Sequence, residues 1–503
     1  MSIDDGSDIF PEQDDDYVEP RKPVTVRGVA VVGARVVTGL VGIGVAAATV
    51  AAAVFVPLPG IQAVPPSATV TPVPTAQQLV CPGSVLRLSD ETGQGATTSS
   101  AIGLPGIDYL SNTGSIEASP LGASDASTGG TPAAPTIVST PPNQADPTRQ
   151  LLLSGAQSQS VNEDEFIGLA AADCGVANGD TWMAGGATTV GRTTLLTLSN
   201  PTEVPATVNI DLYGESGRIT APGTSGIIVP ASGQRVLSLA GFQPDVASPI
   251  VHVSSSGGQV VANLQESIIR GLDAGGVDII GATTAPGLTT IIPGLVLQNS
   301  AAVQALLGGG TDYEDLRPVL RLFAAGSGTV TTTISVIPED GAAGGTSFAY
   351  DLEAGRVVDV PFSDLADGNY TVKIVSPVPV VAAARVSTAV AGGPTDFAWL
   401  AGASQLTNHA QFTVAPGPSP VLHLANAGTT DAAVSLTAQD GTLTTVAVPA
   451  GSSALVAVLP GQTYGATGFD TLFAAITFSD NGTIAHYTVH PPGAGSTPVT
   501  VYR

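Results

Sequence analysis

Three stretches of the chain follow one plan, and that recurrence limits the possible fold more than any other feature. TLLTLSNPTEVPATVNIDLYGESG from Thr194, PVLRLFAAGSGTVTTTISVIPEDG from Pro318 and PVLHLANAGTTDAAVSLTAQDG from Pro420 each read as strand, turn, second strand and acidic-Gly turn. Each is followed by two strands around a small-residue turn, with glycine at Gly233, Gly355 and Gly451. A strand of the type GQVVANLQES, PVVAAARVS or GTIAHYTVH comes next. Short β-branched runs bounded by Gly, Pro, Asn and Asp pack as sheets, and repetition at a fixed period marks one unit copied along the chain. The starts lie roughly a hundred to a hundred and twenty residues apart, the size of an immunoglobulin-like sandwich. The predicted fold is therefore all-β, with three tandem immunoglobulin-like β-sandwich domains after one N-terminal transmembrane helix.

Composition agrees with short strands joined by turns. Of 503 residues 43% are hydrophobic and only 11% charged, with 60 Gly and 39 Pro, a profile unlike that of long charged helices or coiled coil. The net charge of −25 repels a phosphate backbone, which excludes nucleic acid as a partner.

From Val36 to Val56 the sequence VVTGLVGIGVAAATVAAAVFV carries no charge, and about twenty such residues suffice to cross a bilayer as a helix. Arg21, Lys22, Arg27 and Arg35 precede it, whereas the next basic residue after it is Arg87. That asymmetry retains the N-terminus in the cytoplasm and exports everything beyond Pro57. A cleaved signal peptide is the rival reading, with Ile61-Gln62-Ala63 as a cleavage site, although the apolar run exceeds the usual length of such signals. Gly44, Ala48 and Ala52 share one helical face with small-xxx-small spacing, which arises readily by chance in so Ala-rich a segment. Ahead of it, Asp4, Asp5, Asp8, Glu12, Asp14, Asp15, Asp16 and Glu19 predict a solvated acidic tail.

The expected organisation is a tail with basic flank at 1–35, a transmembrane helix at 36–56 and a Pro-rich stalk at 57–75. A first sandwich comes after them at 76–290, containing a mobile low-complexity insertion at 90–149, then a second at 291–403 and a third at 404–503. Cys81 and Cys174, the only cysteines, both lie beyond the apolar segment, where an oxidising compartment lets them pair. A disulfide would tie QQLVCP to FIGLAAADC across the insertion, closing a loop of about ninety residues and contributing roughly 4–5 kcal/mol. The alternative is two buried thiols.

The pattern WMAGGATTVGRTTLLTLSNPTEVPATVNIDLYGESG, with the N-terminal anchor and the cysteine pair, resembles a family of membrane-anchored actinobacterial envelope proteins that has no assigned function. The likeness implies a place outside the cytoplasmic membrane and transfers no catalytic or ligand residue.

A search for chemistry finds no G-x-S-x-G elbow, P-loop or H-E-x-x-H site. Gly39, Gly42 and Gly44 fall inside the apolar segment and follow no strand. His486 and His490 have i, i+4 spacing, but on a strand they sit about 13 Å apart, too far for one ion. His252 and His423 alternate with apolar neighbours and read as satisfied or surface histidines, and His409 completes the five. Asn162-Glu163-Asp164-Glu165 and Asp312, Glu314 and Asp315 read as solvated loop carboxylates lacking a calcium ladder. Trp182 and Trp399 read as core residues at domain entries. No catalytic, cofactor-binding or metal residue is assigned. The expected role is a non-enzymatic envelope protein presenting its sandwiches to cell-wall glycan or another envelope protein. The alternatives are an enzyme or accessory subunit in cell-surface glycan assembly, and a purely mechanical spacer.

Overall fold

The computed structural model describes residues 38–45, 67–70, 76–88, 99–124, 126–127, 134–142, 150–163, 165–341, 345–363, 365–493 and 499–502. The chain divides into two compact units, Met1–Val70 with Thr500–Arg503, and Thr71–Val499. In the first, residues 38–45 are helical. They are the described part of the expected membrane segment; the acidic tail and the rest of that segment lie outside the described residues, as does most of the stalk. Among the described residues no helix is long and apolar enough to cross a membrane.

The second unit is all-β and contains the three repeats. In the first repeat Asp180–Ala184, Ile250–Gly257, Ala206–Gly214 and Gly217–Ile219 form one sheet, with Ile227–Val229 also on Ala206–Gly214. Asp273–Ile280, Val261–Arg270, Arg192–Asn200 and Gly233–Ser238 form the other. Ala206–Gly214 alternates buried and less buried residues, as a strand with one face on a core must. Leu196, Leu198, Ile210, Leu212, Val251, Val253 and Leu264 fill the space between the layers.

The other repeats reach the same plan with two strands fewer. Where the first breaks at Gly257, with φ +80, the second runs through a single 22-residue strand, Gly368–Ala389. Its first part pairs with Gly287–Leu297 and Thr329–Pro338, its last part with Val319–Ala324 and Thr395–Ala401. One strand thereby serves both layers and closes a barrel-like seven-stranded sheet. Thr463–Asp480 does the same in the third repeat.

The stretch 90–149, expected as a mobile insertion, differs from that expectation in its described part. Ser99–Ile102, Gly106–Ser111, Glu117–Pro120 and Thr136–Thr140 are strands, and Ile102 and Val138 are buried. These strands are poor in apolar residues because their neighbours supply the apolar face. Thr136–Thr140 pairs with Gln77–Cys81, and Gly106–Ser111 pairs with Leu153–Glu163.

The repeats are also not strung out like beads. Phe166–Asp173, Asp273–Ile280, Thr395–Ala401 and Thr483–Thr488, one from the N-terminal segment and one from each repeat, neighbour one another in a closed ring. Ala156, Leu169 and Ala171 accordingly share a core with the third repeat.

Candidate functional site

The strands Val319–Ala324 and Val421–Ala425 are buried on both faces. Leu320 and Leu322, like Leu422 and Leu424, face their own cores. The residue between them, Arg321 or His423, turns to the preceding repeat, and in both cases a carboxylate meets it.

Arg321 is bidentate on Asp359, with Nε 2.8 Å from Oδ1 and Nη2 2.8 Å from Oδ2. It also donates to the carbonyls of Gly186, Pro249 and Ala247 in the first repeat. Its guanidinium lies 4.4 Å from the centre of the Trp399 ring, a desolvated cation–π contact. Trp399 Nε1 donates to Glu266 Oε2 and its backbone N–H to Asp278 Oδ2, both at 2.7 Å. Burial opposes ionisation of Asp359, but the Arg321 charge and hydrogen bonds outweigh it and hold the carboxyl below its usual range. Beside this junction Asp315 pairs with Arg270, and with Arg192 at 2.9 Å.

At the next junction Glu339 Oε2 lies 2.5 Å from His423 Nδ1, and His423 Nε2 lies 2.7 Å from the Thr477 hydroxyl. Carboxylate, imidazole and hydroxyl in this order are the parts of a nucleophilic relay. Here the relay is sealed. His423 and Glu339 side chains are both 0% exposed, and Gly294 closes over them, donating its N–H to Glu339 Oε1 at 3.1 Å. A Cβ built at Gly294 would come within 3.1 Å of both His423 and Thr477, leaving no room for a reacting atom. His486, also buried, is lowered to about 3 by burial and by His423, so it stays neutral. The arrangement joins the second and third repeats.

A partly exposed cluster of aromatic and charged side chains lies on one sheet of the first repeat, with Trp182 and Tyr213 also against the buried Phe323 of the second repeat. Cross-strand register places Trp182, His252 and Asp211 in one row over three strands. Trp182 and His252 stack with centroids 4.2 Å apart. His252 Nε2 is 2.9 Å from Asp180 Oδ2, and Nδ1 is 3.5 Å from Asp211 Oδ2. Asp180 is 62% exposed at its side chain, Arg218 pairs with Asp211, and Tyr213 adjoins Trp182. An apolar ring flanked by carboxylates and a guanidinium is suited to hydroxyl-rich or peptide ligands. A depression of ≈ 280 Å³ in the third repeat is lined by Asn426, Asp431, Phe469, Asp470 and neighbours.

Of the residues that the sequence singles out, Cys81 and Cys174 form a disulfide across a separation of 93. His423 is satisfied, as its apolar setting suggests. His490 lies 3.3 Å from Asp173, and His486 bonds the Pro293 carbonyl at 3.2 Å. Among the described residues no group of three or more His, Cys, Asp or Glu could hold a metal. Two expectations need correction. Asp315 is not a solvated carboxylate but a side chain only 7% exposed, because Arg270 and Arg192 converge on it. Trp182 is only half-buried, packed at the margin of the core that holds Trp399 and against Phe323 of the second repeat, whereas Trp399 is fully core. Arg321 is absent from the residues that sequence reasoning picks out. A lone polar residue three places after Pro318, matching His423 after Pro420, is the signal that could have found it.

Residues 123–459 match a family described only as of unknown function, DUF5719. No curated protein matches the chain.

Proposed function

The chain belongs to that family of unknown function, DUF5719, which matches more than half of its length, and from its own residues we propose a non-enzymatic, membrane-anchored protein of the cell envelope. In this reading the apolar segment 36–56 anchors the chain with its N-terminus in the cytoplasm, as in the actinobacterial envelope proteins that the sequence resembles. The repeats, read as immunoglobulin-like sandwiches, stand outside the membrane as one rigid head. The Trp182–His252 face, with Asp180, Asp211 and Arg218, contacts cell-wall glycan or a neighbouring envelope protein.

The observation that carries the reading is the Cys81–Cys174 disulfide, which persists in an oxidising compartment and not in a reducing cytoplasm. It lies on the far side of an uncharged run whose basic flank is N-terminal. The sealed Glu339–His423–Thr477 relay gives further support, since the polar chemistry of the fold is spent on holding repeats together.

Thiol labelling tests the location. Because Cys81 and Cys174 are buried, cells are opened in denaturant and a maleimide is expected to label the full-length chain only after reduction; labelling without reductant rejects an oxidised, exported head. Co-sedimentation with insoluble wall polymer tests the binding face. Trp182→Ala is expected to weaken it by about tenfold or more, the loss of roughly 1.4 kcal/mol. Binding unchanged by that variant removes the face from the proposal.

A further inference from the structure

In each repeat the strand after the glycine turn lies at the margin of its sheet: Gly233–Ser238, Val357–Pro361 and Ser453–Ala457. Such margins expose unpaired backbone groups and invite another strand, so natural sheets guard them with charge, proline or a covering segment. The first two are guarded. Gly233–Ser238 pairs in parallel with Ala123–Ser124, and Gly122 N donates to Ser232 O at 2.9 Å. Val357–Pro361 carries Asp359, held by Arg321, and ends in a proline, which has no N–H.

Ser453–Ala457 carries no charge and no proline; only its first residue, Ser453, is buried, against the Thr371 hydroxyl of the second repeat at 2.9 Å. Among the described residues the strand pairs only with Val421–Ala425, and no further strand covers it. From Gly441 to Phe469 the sequence has no charged residue, in a chain whose net charge is −25. Leu459, just past the strand, and Leu443, on the neighbouring marginal strand, are each 63% exposed. The hydrogen-bond alternation is also legible. Asn426 N donates to Ser452 O and Val458 N to Pro420 O, so Ser453, Leu455 and Ala457 turn their backbone groups away from Val421–Ala425.

We propose that this margin pairs antiparallel with the same strand of a second copy of the chain, about a two-fold axis through Leu455. The outward groups of Ser453 then stand opposite those of Ala457 across the axis, and the contact is self-complementary, as an isologous interface must be. Two strongly acidic chains repel everywhere else. An uncharged margin is the place where a second copy can approach without placing carboxylates face to face.

Sedimentation of the full-length chain in detergent, over a concentration series, reads the dimer directly. Ala457 is exposed, and its N–H makes no bond to Val421–Ala425, so Ala457→Pro removes an outward donor without touching the sheet. The expected result is a reversible dimer whose Kd rises by at least about tenfold in Ala457→Pro, with an unchanged unfolding midpoint. Ala457→Glu, which keeps the N–H but places a carboxylate on the uncharged margin of two acidic chains, is expected to weaken it similarly and serves if the proline variant fails to fold. Leu455→Cys is expected to cross-link to itself on oxidation. A chain monomeric throughout overturns the proposal. So does a dimer indifferent to both Ala457 variants, which lies elsewhere, for instance in the apolar segment. A monomer that instead takes up an extended uncharged peptide at this strand also overturns it, giving the margin to a foreign partner.

Discussion

Asp396 accepts the backbone N–H of Leu169 on its Oδ2 at 2.9 Å, a bond between residues 227 apart in sequence. The same oxygen takes Ile484 N at 3.1 Å, and Oδ1 takes Val277 N at 3.3 Å. One side chain thus satisfies donors from the N-terminal segment, the first repeat and the third. Room for it is left by two glycines: a Cβ at Gly168 or Gly276 would approach Asp396 Oδ1 to 2.6 or 2.7 Å.

Removing this acceptor should loosen the whole ring. Asp396→Ala leaves buried N–H groups without partners, at about 1–3 kcal/mol each, and a total loss of about 3–5 kcal/mol is expected in urea unfolding. Asp396→Asn keeps one oxygen acceptor and should cost less. A loss below about 1 kcal/mol in the alanine variant would mean that the bonds are dispensable.

Acid should act in two opposite directions. Burial pushes the carboxyls of Asp396 and Asp278 well above their usual range, with repulsion between acids adding to it at Asp278, and burial also raises Glu266. A raised group binds its proton more tightly folded than unfolded. Its contribution is full below the unfolded pKa, about 4, and is lost as pH rises through the folded value. Asp315 and Asp359 are lowered, so their contribution is present above about pH 4 and is lost as pH falls through their folded values. Between mildly acidic and neutral pH the raised group governs, and Tm should decline. Asp278→Asn should flatten that decline; an unaltered slope would assign it to other groups.

The repeat period, the all-β character and the disulfide were legible because each is written in local sequence: alternation, turn residues and a single cysteine pair. The ring was not. Asp396 sits in TDFAWLA and reads as one more acidic residue near a turn, since its three donors come from strands that only the tertiary fold brings close. Arg321 and His423 interrupt strands whose two faces are both buried, a pattern that resembles simple in-out alternation until the second face is known to meet another repeat. The described strands of 99–140 escape the sequence pattern for a related reason. Ser and Thr can line a sheet whose apolar partners are remote in sequence, such as Val85 opposite Ile102.

Two asparagines hold equivalent corners. Asn200 Nδ2 donates to the carbonyls of Val204 and Val229, and its Oδ1 accepts Thr202 N. Asn426 does the same with Thr430, Val448 and Gly428 N. Asn200→Ala and Asn426→Ala should each cost about 1–3 kcal/mol by leaving backbone groups unpaired. Asn426→Asp, which cannot donate to two carbonyls, should be as harmful as alanine. Thermal unfolding of the three variants checks this, and a harmless aspartate would show that the donor bonds do not matter.

The buried relay permits a sharper test, because its members bridge two repeats. Glu339 accepts Gly294 N and the Thr371 hydroxyl as well as facing His423. Glu339→Ala therefore strands three buried partners and should cost about 3–5 kcal/mol. Thr477→Val frees only His423 Nε2 and should cost about 1–3 kcal/mol. In Glu339→Ala/His423→Ala both sides of the closest contact are gone, so the double variant should lose less than the sum of its singles by about 1–3 kcal/mol. Denaturant unfolding of the four proteins gives that coupling. Additive losses would show that Glu339 and His423 stabilise their repeats separately, and the second junction would then rest on its other contacts, such as His486 on the Pro293 carbonyl and Thr371 on Ser453.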